Sequence, residues 1–269
     1  MQTGEAIILG LVQGITEFLP ISSSGHLVLI RSVLETDMVY GLAFDAALHL
    51  ATVLAIMVYF WKDLYILSQT ALRKLSRLPV NEDDERLLYA VIIATIPGVI
   101  VGLLLESYIG AVFHSPTTVA VFLFIAAIFF MVAEYRQLAQ PRYESVTLKK
   151  ALYIGCFQVL ALLPGVSRAG VTIGAGMLFG LTRTAAARFS FLMAIPITFG
   201  VGVKQTLSLI QSGDEVALLP VAIASVIAFF SALIVIHFFL QFLRRYTLWP
   251  FIWYMILLAS FILLAQWFA

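Results

Sequence analysis

The 269-residue chain is 62% hydrophobic and only 12% charged, with a mean hydropathy of +1.02. Charged residues make up about a quarter of a soluble domain, so this composition excludes a soluble protein and predicts an integral membrane protein. The net charge of +1 carries no information on nucleic acid, and no basic stripe with interleaved aromatic residues supports such a partner, so none is expected. Cys156 is the single cysteine, which excludes an intrachain disulfide.

Six stretches of the chain are predicted to cross a membrane. A hydrocarbon core of about 30 Å requires roughly 20 apolar residues in a helix. The stretches that meet this requirement are about 42–61, 87–106, 115–134, 186–208, 216–241 and 247–268. The only long connection, residues 62–86, is predicted to form a short interfacial helix and a solvated turn.

Two further apolar regions, about 3–34 and 149–181, are interrupted in the middle by proline, glycine and serine. These residues end helices and open loops, and each remaining half is too short to cross comfortably. We therefore predict that each region is a re-entrant helical hairpin. Its loop must be sheltered by protein or must line a water-filled cavity.

The two hairpins carry similar polar clusters, QGITEFLPISSSGH from Gln13 to His26 and QVLALLPGVSRAGVT from Gln158 to Thr172. An offset of 145 residues pairs Gln13 with Gln158, Ser22 with Ser167, Ser23 with Arg168 and Gly25 with Gly170. Charged and hydroxyl groups at membrane depth are costly, which makes a functional site the first explanation of both clusters.

Each hairpin precedes three spans, so the second copy begins at the opposite face and the repeat is inverted. The predicted fold is an all-α polytopic membrane protein of six transmembrane helices plus two re-entrant hairpins. It forms a single membrane domain over residues 1–269, with repeat 1 at about 1–134, a connector at about 135–148 and repeat 2 at about 149–269.

Lysine and arginine support this topology. Thirteen of them fall on one side, Arg31 and Lys204 on the other, and Arg168 in the membrane. The crowded side is therefore predicted to be cytoplasmic. Both termini and the entrance to the site would then lie on the outer, periplasmic face.

The first cluster offers a carboxylate beside hydroxyl groups. Gln13 and Glu17 share one helical face, and Glu17 could hold a divalent cation, act as a base or simply pair with Arg168. Ser22, Ser23 and Ser24 precede Gly25 and His26, and a helix beginning there would cap itself with one serine and bind an anion. A hydroxyl beside an imidazole is also the minimal activated nucleophile.

The second cluster offers donors for an anion. Arg168 carries a planar fork of donors suited to phosphate. Ser167 and Thr172 add hydroxyl groups, and Gly170 allows a close backbone approach. The two clusters together therefore indicate phosphate chemistry. Asp45 and His49 lie four residues apart in a span, and either line the entrance of the cavity or form a packing pair.

These motifs resemble those of the bacterial undecaprenyl-diphosphate phosphatases, polytopic enzymes associated with bacitracin resistance. Residues 13–26 are similar to the family's (E/Q)-x-x-x-E motif and serine-rich loop, and residues 164–172 to its P-G-x-S-R-x-x-x-T motif. The segments FDAALHL from Phe44 and SFLMAIP from Ser190 are also family-like, so the resemblance spans essentially the whole chain.

The resemblance implies a role for Glu17 in metal binding and catalysis, for Ser23 and His26 in attack or proton transfer, and for Arg168 in diphosphate binding. The candidate substrate contacts are Gln13, Ser22, Ser24, Gly25, Ser167, Gly170 and Thr172. Two positions depart from the family pattern. Gln13 replaces a glutamate of many members, which leaves one charge fewer for a metal, and Ala169 replaces a serine.

The expected activity is hydrolysis of undecaprenyl diphosphate to undecaprenyl phosphate and inorganic phosphate in the bacterial plasma membrane, which recycles the lipid carrier for cell-wall synthesis. The expected cofactor is Mg²⁺ or Ca²⁺ on Glu17, with Gln13 as a second candidate ligand. The expected partners are the polyprenyl lipid, membrane lipids and a second copy in a homodimer. The nucleophile is Ser23, with Glu17 or His26 as base, or else His26 itself.

The sequence is also compatible with two functions other than an enzyme. Inverted repeats with broken helices are the architecture of secondary carriers, so a transporter or flippase for a lipid phosphate fits the same pattern, alone or combined with hydrolysis. A structural membrane scaffold leaves the cost of Glu17, His26 and Arg168 unexplained.

Overall fold

A computed structural model describes residues 3–34, 41–112, 115–139, 142–163, 165–212 and 218–268. Pro164 of the second motif and connector residues 140–141 lie outside the described residues. The helices of the described ranges are α1 Thr3–Thr16, α2 Ser23–Leu34, α3 Gly41–Tyr59, α4 Trp61–Leu75, α5 Glu82–Val112, α6 Pro116–Ala139, α7 Leu148–Gln158, α8 Arg168–Leu178, α9 Arg183–Ser212, α10 Leu218–Arg245 and α11 Trp249–Phe268, with a 3-10 turn at Val159–Leu162.

The long helices confirm an all-α polytopic membrane protein. Within the described ranges, five helices (α5, α6, α9, α10 and α11) are each long and apolar enough to cross a bilayer. A sixth crossing is reached if α3 and α4 count as one broken span, since they bend by 80° at Phe60. Each of the six predicted spans overlaps one of these helices, and α4 falls where an interfacial helix is predicted.

The two interrupted regions each fold into a pair of short helices that pack against each other, α1 with α2 and α7 with α8. The longest of the four, α1, has 14 residues, about 21 Å of helix, which is short for a hydrocarbon core. These pairs are the elements for which hairpins are predicted. Their position relative to the membrane, and with it the six-plus-two arrangement, stays a prediction.

Each hairpin packs in the same way against a helix of the other repeat. Helix α1 packs on α10, and α7 packs on α5. A Cβ added to Gly10 would lie 2.5 Å from the Ala224 carbonyl oxygen, and one added to Gly155 would meet the same atom of Ala94. Gly10 and Gly155 are 145 residues apart, whereas Ala94 and Ala224 are 130 residues apart. The difference of 15 residues equals the length of α4, a helix that follows only the first hairpin and its span. The same close crossing therefore occurs twice, as an internal repeat requires.

Helix α6 supports the loops of both hairpins. A Cβ on Gly25 would lie 2.9 Å from Val119 Cγ1, and one on Gly165 would lie 2.8 Å from the Val119 carbonyl oxygen. Gly165 also has φ +86°, which favours glycine. One turn of α6 thus fixes the two loops against a common surface.

Candidate active site

Each of the two loops ends in a helix N-cap of the same kind. The Gly25 N–H donates to Ser22 Oγ (3.3 Å), and the Gly170 N–H donates to Ser167 Oγ (3.0 Å). Each serine thereby satisfies one of the free N–H groups at the start of α2 or α8. The predicted pairing of the two clusters is thus realised as two N-termini built in the same way, and helix N-termini favour anions.

Ser22 adopts a conformation that few side chains accept. Its φ of 68° lies in the left-handed region, although it is not glycine. Such a conformation costs about 1–3 kcal/mol and persists only where the surroundings enforce it. The cap to Gly25 and a contact from His26 Nδ1 to the Ser22 carbonyl oxygen (2.7 Å) hold the turn that presents Ser23.

The Glu17 carboxylate joins the two repeats. Glu17 Oε2 accepts hydrogen bonds from Ser23 Oγ (2.7 Å) and Gln13 Nε2 (3.0 Å). Glu17 Oε1 accepts one from Arg168 Nη2 (2.7 Å), 151 residues further along the chain. Glu17, Ser23 and Arg168, all candidate catalytic residues from the sequence, therefore meet at one buried carboxylate.

His49 belongs to this cluster, and sequence reasoning left it undecided. His49 Nδ1 lies 3.0 Å from Gln13 Nε2 and 3.5 Å from Glu17 Oε2. Asp45, the other half of the proposed packing pair, instead forms an ion pair with Arg31. The signal for His49 was its imidazole within an apolar span, but its partners lie on another helix and leave no trace in local spacing.

His26 occupies a different position from the one that its sequence spacing suggests. Its Nδ1 faces the Ser22 carbonyl oxygen, and its Nε2 lies 2.7 Å from the Tyr254 hydroxyl oxygen on α11. The imidazole also stacks on the Tyr254 ring, with centroids 5.7 Å apart. His26 is not among the described residues that line the cavity at Glu17. Its role in attack or proton transfer stays a prediction, and its contacts fit the positioning of the Ser22 turn.

A cavity of about 230 Å³ opens beside Glu17, several times the roughly 30 Å³ that one water molecule occupies in the liquid. Both hairpins and three further helices, α3, α5 and α9, contribute to it. The described lining residues are Glu17, Ser22, Ser23, Ser24, His49, Gly98, Gln158, Ala161, Leu162, Val166, Ser167, Arg168, Ile197, Thr198 and Val201. Its lining combines apolar residues with a few polar groups, as is usual for a ligand site.

The other candidate contacts from the sequence lie behind this lining. A Cβ on Gly170 would lie 2.8 Å from Phe130 Cζ, so this glycine, like Gly25, permits tight packing at a helix start. Thr172 Oγ1 donates to the Arg168 carbonyl oxygen (2.8 Å) and contacts Ser190 Oγ (2.6 Å). Gly25, Gly170 and Thr172 support the loops, and Gln13, which also lies outside the lining, holds the Glu17 carboxylate. A direct contact with substrate stays a prediction for all four.

Several buried polar atoms at the site have no hydrogen-bond partner among the described residues. They are Gln13 Oε1, Arg168 Nη1 and both amide atoms of Gln158. Buried polar groups are almost always hydrogen-bonded, so these atoms mark positions for a ligand. Nη1 is a donor suited to phosphate, and the Gln13 oxygen is a neutral ligand suited to a hard cation.

The chain is similar to a known family and to named relatives over nearly its whole length. Residues 6–261 match the family model described as bacitracin resistance protein BacA. An undecaprenyl-diphosphatase of Trichlorobacter lovleyi is 44% identical over 255 residues, which is 93% of this chain and 92% of that protein. Undecaprenyl-diphosphatases of Geotalea daltonii and Rubrobacter xylanophilus are each 41% identical, over 95% and 96% of both chains. The chain therefore belongs to the bacitracin resistance protein BacA family.

Proposed function

We propose that the chain hydrolyses undecaprenyl diphosphate to undecaprenyl phosphate and inorganic phosphate. The observation that carries this proposal is the Ser23 hydroxyl hydrogen-bonded to Glu17, which in turn holds Arg168 at the edge of a polar cavity. The relatives are named for this activity. Their names give no support to the transporter alternative.

The reaction proceeds in two steps. Ser23 Oγ attacks the terminal phosphorus while Glu17 Oε2 takes the hydroxyl proton, since the two oxygens are 2.7 Å apart. The bond to the bridging oxygen breaks, and undecaprenyl phosphate leaves with that electron pair. Water then attacks the phosphorus of the phosphoserine, the bond from Ser23 Oγ to phosphorus breaks, and inorganic phosphate leaves with the oxygen of the water. Protonated Glu17 returns its proton to Ser23 Oγ, which restores both groups.

Arg168 stabilises the charge on the transferred group. Its Nη2 holds Glu17, and its Nη1, unpartnered among the described residues, donates to a phosphate oxygen. The capped N-terminus of α2, which begins at Ser23, adds a favourable dipole to the same position.

The two histidines have supporting roles in this proposal. His26 positions the Ser22 turn through its Nδ1 and is held against α11 by Tyr254. His49 lies against both Gln13 and Glu17 and fixes the orientation of the carboxylate that receives the proton.

A divalent cation fits the donor set in part. Within the described ranges, no group of three His, Cys, Asp or Glu side chains could hold a metal. Mg²⁺, however, commonly uses one or two carboxylates and completes its shell with substrate phosphates and water. Glu17 and the unpartnered Gln13 Oε1 would hold Mg²⁺ or Ca²⁺ here, and the cation would neutralise phosphate charge.

The cavity is proposed to open to the outer face of the bacterial plasma membrane. Its lining follows α9 from Ile197 to Val201, away from Arg183 and Arg188 at the start of that helix. Those arginines belong to the thirteen basic residues assigned to the cytoplasm. Both termini then lie outside. A homodimer stays a prediction that size determination in lipid nanodiscs tests.

Trapping of the phosphoryl intermediate tests the proposal. Acid quenching during turnover, followed by peptide mass spectrometry, is expected to find phosphoserine at Ser23, because phosphoserine survives acid. An acid-sensitive, base-stable phosphoryl group on His26 would exchange the roles of the two residues. Turnover with no phosphorylated peptide after either an acid quench or a base quench would reject a covalent intermediate.

A further inference from the structure

The second hairpin carries a buried glutamine that the proposed chemistry leaves unused. Gln158 ends α7, is 4% exposed and lines the cavity. Neither its Nε2 nor its Oε1 has a hydrogen-bond partner within the described part of the chain. An amide buried in this way is costly unless a ligand completes its hydrogen bonds.

The repeat explains why this amide is free. Gln158 corresponds to Gln13, whose amide contacts the Glu17 carboxylate four residues further on. Four residues after Gln158 the chain has Leu162, which offers no acceptor. The second copy of the amide therefore lies at the cavity wall without a protein partner among the described residues.

Gly98 provides the space that this amide occupies. A Cβ at Gly98 would lie 3.1 Å from Gln158 Nε2 and 2.8 Å from Ile197 Cδ1. The amide is thus next to an apolar side chain of α9, and Ile197, Leu162 and Val201 are apolar members of the cavity lining.

An apolar groove lies along the same two helices, α5 and α9. The neighbours of Gly98 and Ile197 in sequence, Val99 and Pro196, line a groove of about 440 Å³ between α4, α5 and α9. The other described lining residues of the groove are Leu64, Leu67, Val91, Ile92, Thr95, Ile96, Ile100, Leu192 and Ile195. Gln158 therefore lies beside the two helices, α5 and α9, that also form a surface suited to a hydrocarbon chain.

We propose that Gln158 is a substrate-binding residue that recognises the phosphate attached to the lipid, and that this apolar groove takes the first isoprene units. The inference rests on the proposed hydrolysis. Ser23 and Arg168 meet at Glu17 and define the position of the transferred phosphate. The lipid-linked phosphate lies on the side from which an apolar chain can leave, and Gln158 Nε2 donates to one of its oxygens.

Replacement of Gln158 by leucine, measured on protein purified in detergent micelles, tests this proposal. We expect the apparent KM for polyprenyl diphosphate and the inhibition constant of polyprenyl monophosphate each to rise about tenfold or more, as for one lost hydrogen bond to a charged group. We expect kcat to stay within about threefold, because the transferred phosphate is untouched. Inhibition by inorganic phosphate should not change.

Thermal unfolding distinguishes a role of Gln158 in substrate binding from a role in stabilising the fold. Gln158→Leu should keep or raise the Tm, because leucine removes two unpartnered buried polar atoms. Gln137→Leu is the matched control: Gln137 is equally buried, but its Nε2 donates to the Leu181 carbonyl oxygen outside the cavity. That variant should lower the Tm and leave KM unchanged.

Three outcomes would overturn the proposal: an unchanged KM and monophosphate inhibition in Gln158→Leu, an equal weakening of inhibition by inorganic phosphate, or a lower Tm with unchanged KM. If the leucine variant does not fold, Gly98→Ala serves instead. Its Cβ presses on the amide, so both constants should rise, and wild-type values would overturn the proposal. Absence of phosphate release by the wild type in this assay would instead reject the proposed hydrolysis.

Discussion

At the scale of single residues, Glu17 determines what the site can do. Its two oxygens bind different partners, Ser23 and Gln13 on one and Arg168 on the other. The guanidinium balances the buried charge, and breaking such a pair by removing one partner is strongly destabilising. The same buried carboxylate can therefore stay ionised while it accepts the hydrogen bond from the Ser23 hydroxyl.

Replacement of Ser23 by alanine should reduce kcat by about 10³-fold or more, because it removes the phosphoryl acceptor. The apparent KM should change only modestly, since Glu17 and Arg168 remain. Ser24→Ala, at the neighbouring hydroxyl in the cavity, should cost less than about tenfold in kcat. Steady-state phosphate release measures both variants. Substantial turnover in Ser23→Ala would transfer the nucleophile role to His26.

Replacement of Arg168 by lysine keeps the charge and loses the planar fork that serves Glu17 and phosphate together. We expect most of the activity to be lost, as measured by kcat/KM. Arg188→Lys is the matched control, because Arg188 is half-exposed and pairs with Asp63 away from the cavity. Near wild-type kcat/KM in Arg168→Lys would reduce Arg168 to a counter-ion for Glu17.

The residue types of the site were predictable from the sequence, but several of their partners were not. Glu17, Ser23 and Arg168 stand out because polar groups are rare in an apolar chain. The position of His26 depends on Tyr254, 228 residues away, and that of His49 on Gln13 in another helix. Contacts of this kind are set by helix packing, which motif spacing does not encode.

At the scale of helices, glycine sets how closely the repeats interlock. Gly10 and Gly155 bring α1 and α7 against a backbone carbonyl of α10 and α5. Small residues at membrane helix crossings allow this approach. Because α1 and α7 lead directly into the two loops, the crossings also fix the loops relative to each other.

Replacement of Gly155 by valine should separate α7 from α5 and lower the Tm, by an amount corresponding to about 1–3 kcal/mol of overpacking. Activity should fall with it, since α7 leads into the Arg168 loop. Gly102→Ala is the control, because nothing lies within 4 Å of its added Cβ. Thermal unfolding in detergent compares the two. Equal Tm values for Gly155→Val and wild type would contradict the proposed crossing.

Helix existence was predictable from the sequence, and helix ends were less so. Each predicted span overlaps a helix, but α5 and α9 run to 31 and 30 residues because their ends continue past the apolar segment. Acidic residues in the first turn of α5, such as Glu82 and Asp83, favour its N-terminus through the helix dipole. Hydropathy detects the apolar centre of such a helix and not its polar ends.

At the scale of the whole molecule, the inverted repeat predicts which parts face each side of the membrane. Within the described ranges five helices could cross the membrane, or six if α3 and α4 form one broken span, and the basic residues supply the predicted direction. The equivalent crossings at Gly10 and Gly155 support the repeat but carry no information on the sides.

Labelling of single cysteines in spheroplasts tests the direction, in a background where Cys156 is replaced by alanine. Gly4→Cys, with nothing within 4 Å of its Cβ, should react with a membrane-impermeant maleimide from outside. Ser76→Cys, in the turn after α4, should react only after permeabilisation. The reverse pattern would invert the topology and place the entrance of the cavity in the cytoplasm.

The central claim is that loops from two repeats form one phosphatase site. Release of inorganic phosphate from undecaprenyl diphosphate by the purified protein in detergent micelles tests it most directly, because micelles have no two sides and transport cannot contribute. We expect sustained release by the wild type and its near-complete loss in both Ser23→Ala and Arg168→Lys, one variant in each loop. No release by a folded wild-type protein, or full release by either variant, would contradict the claim.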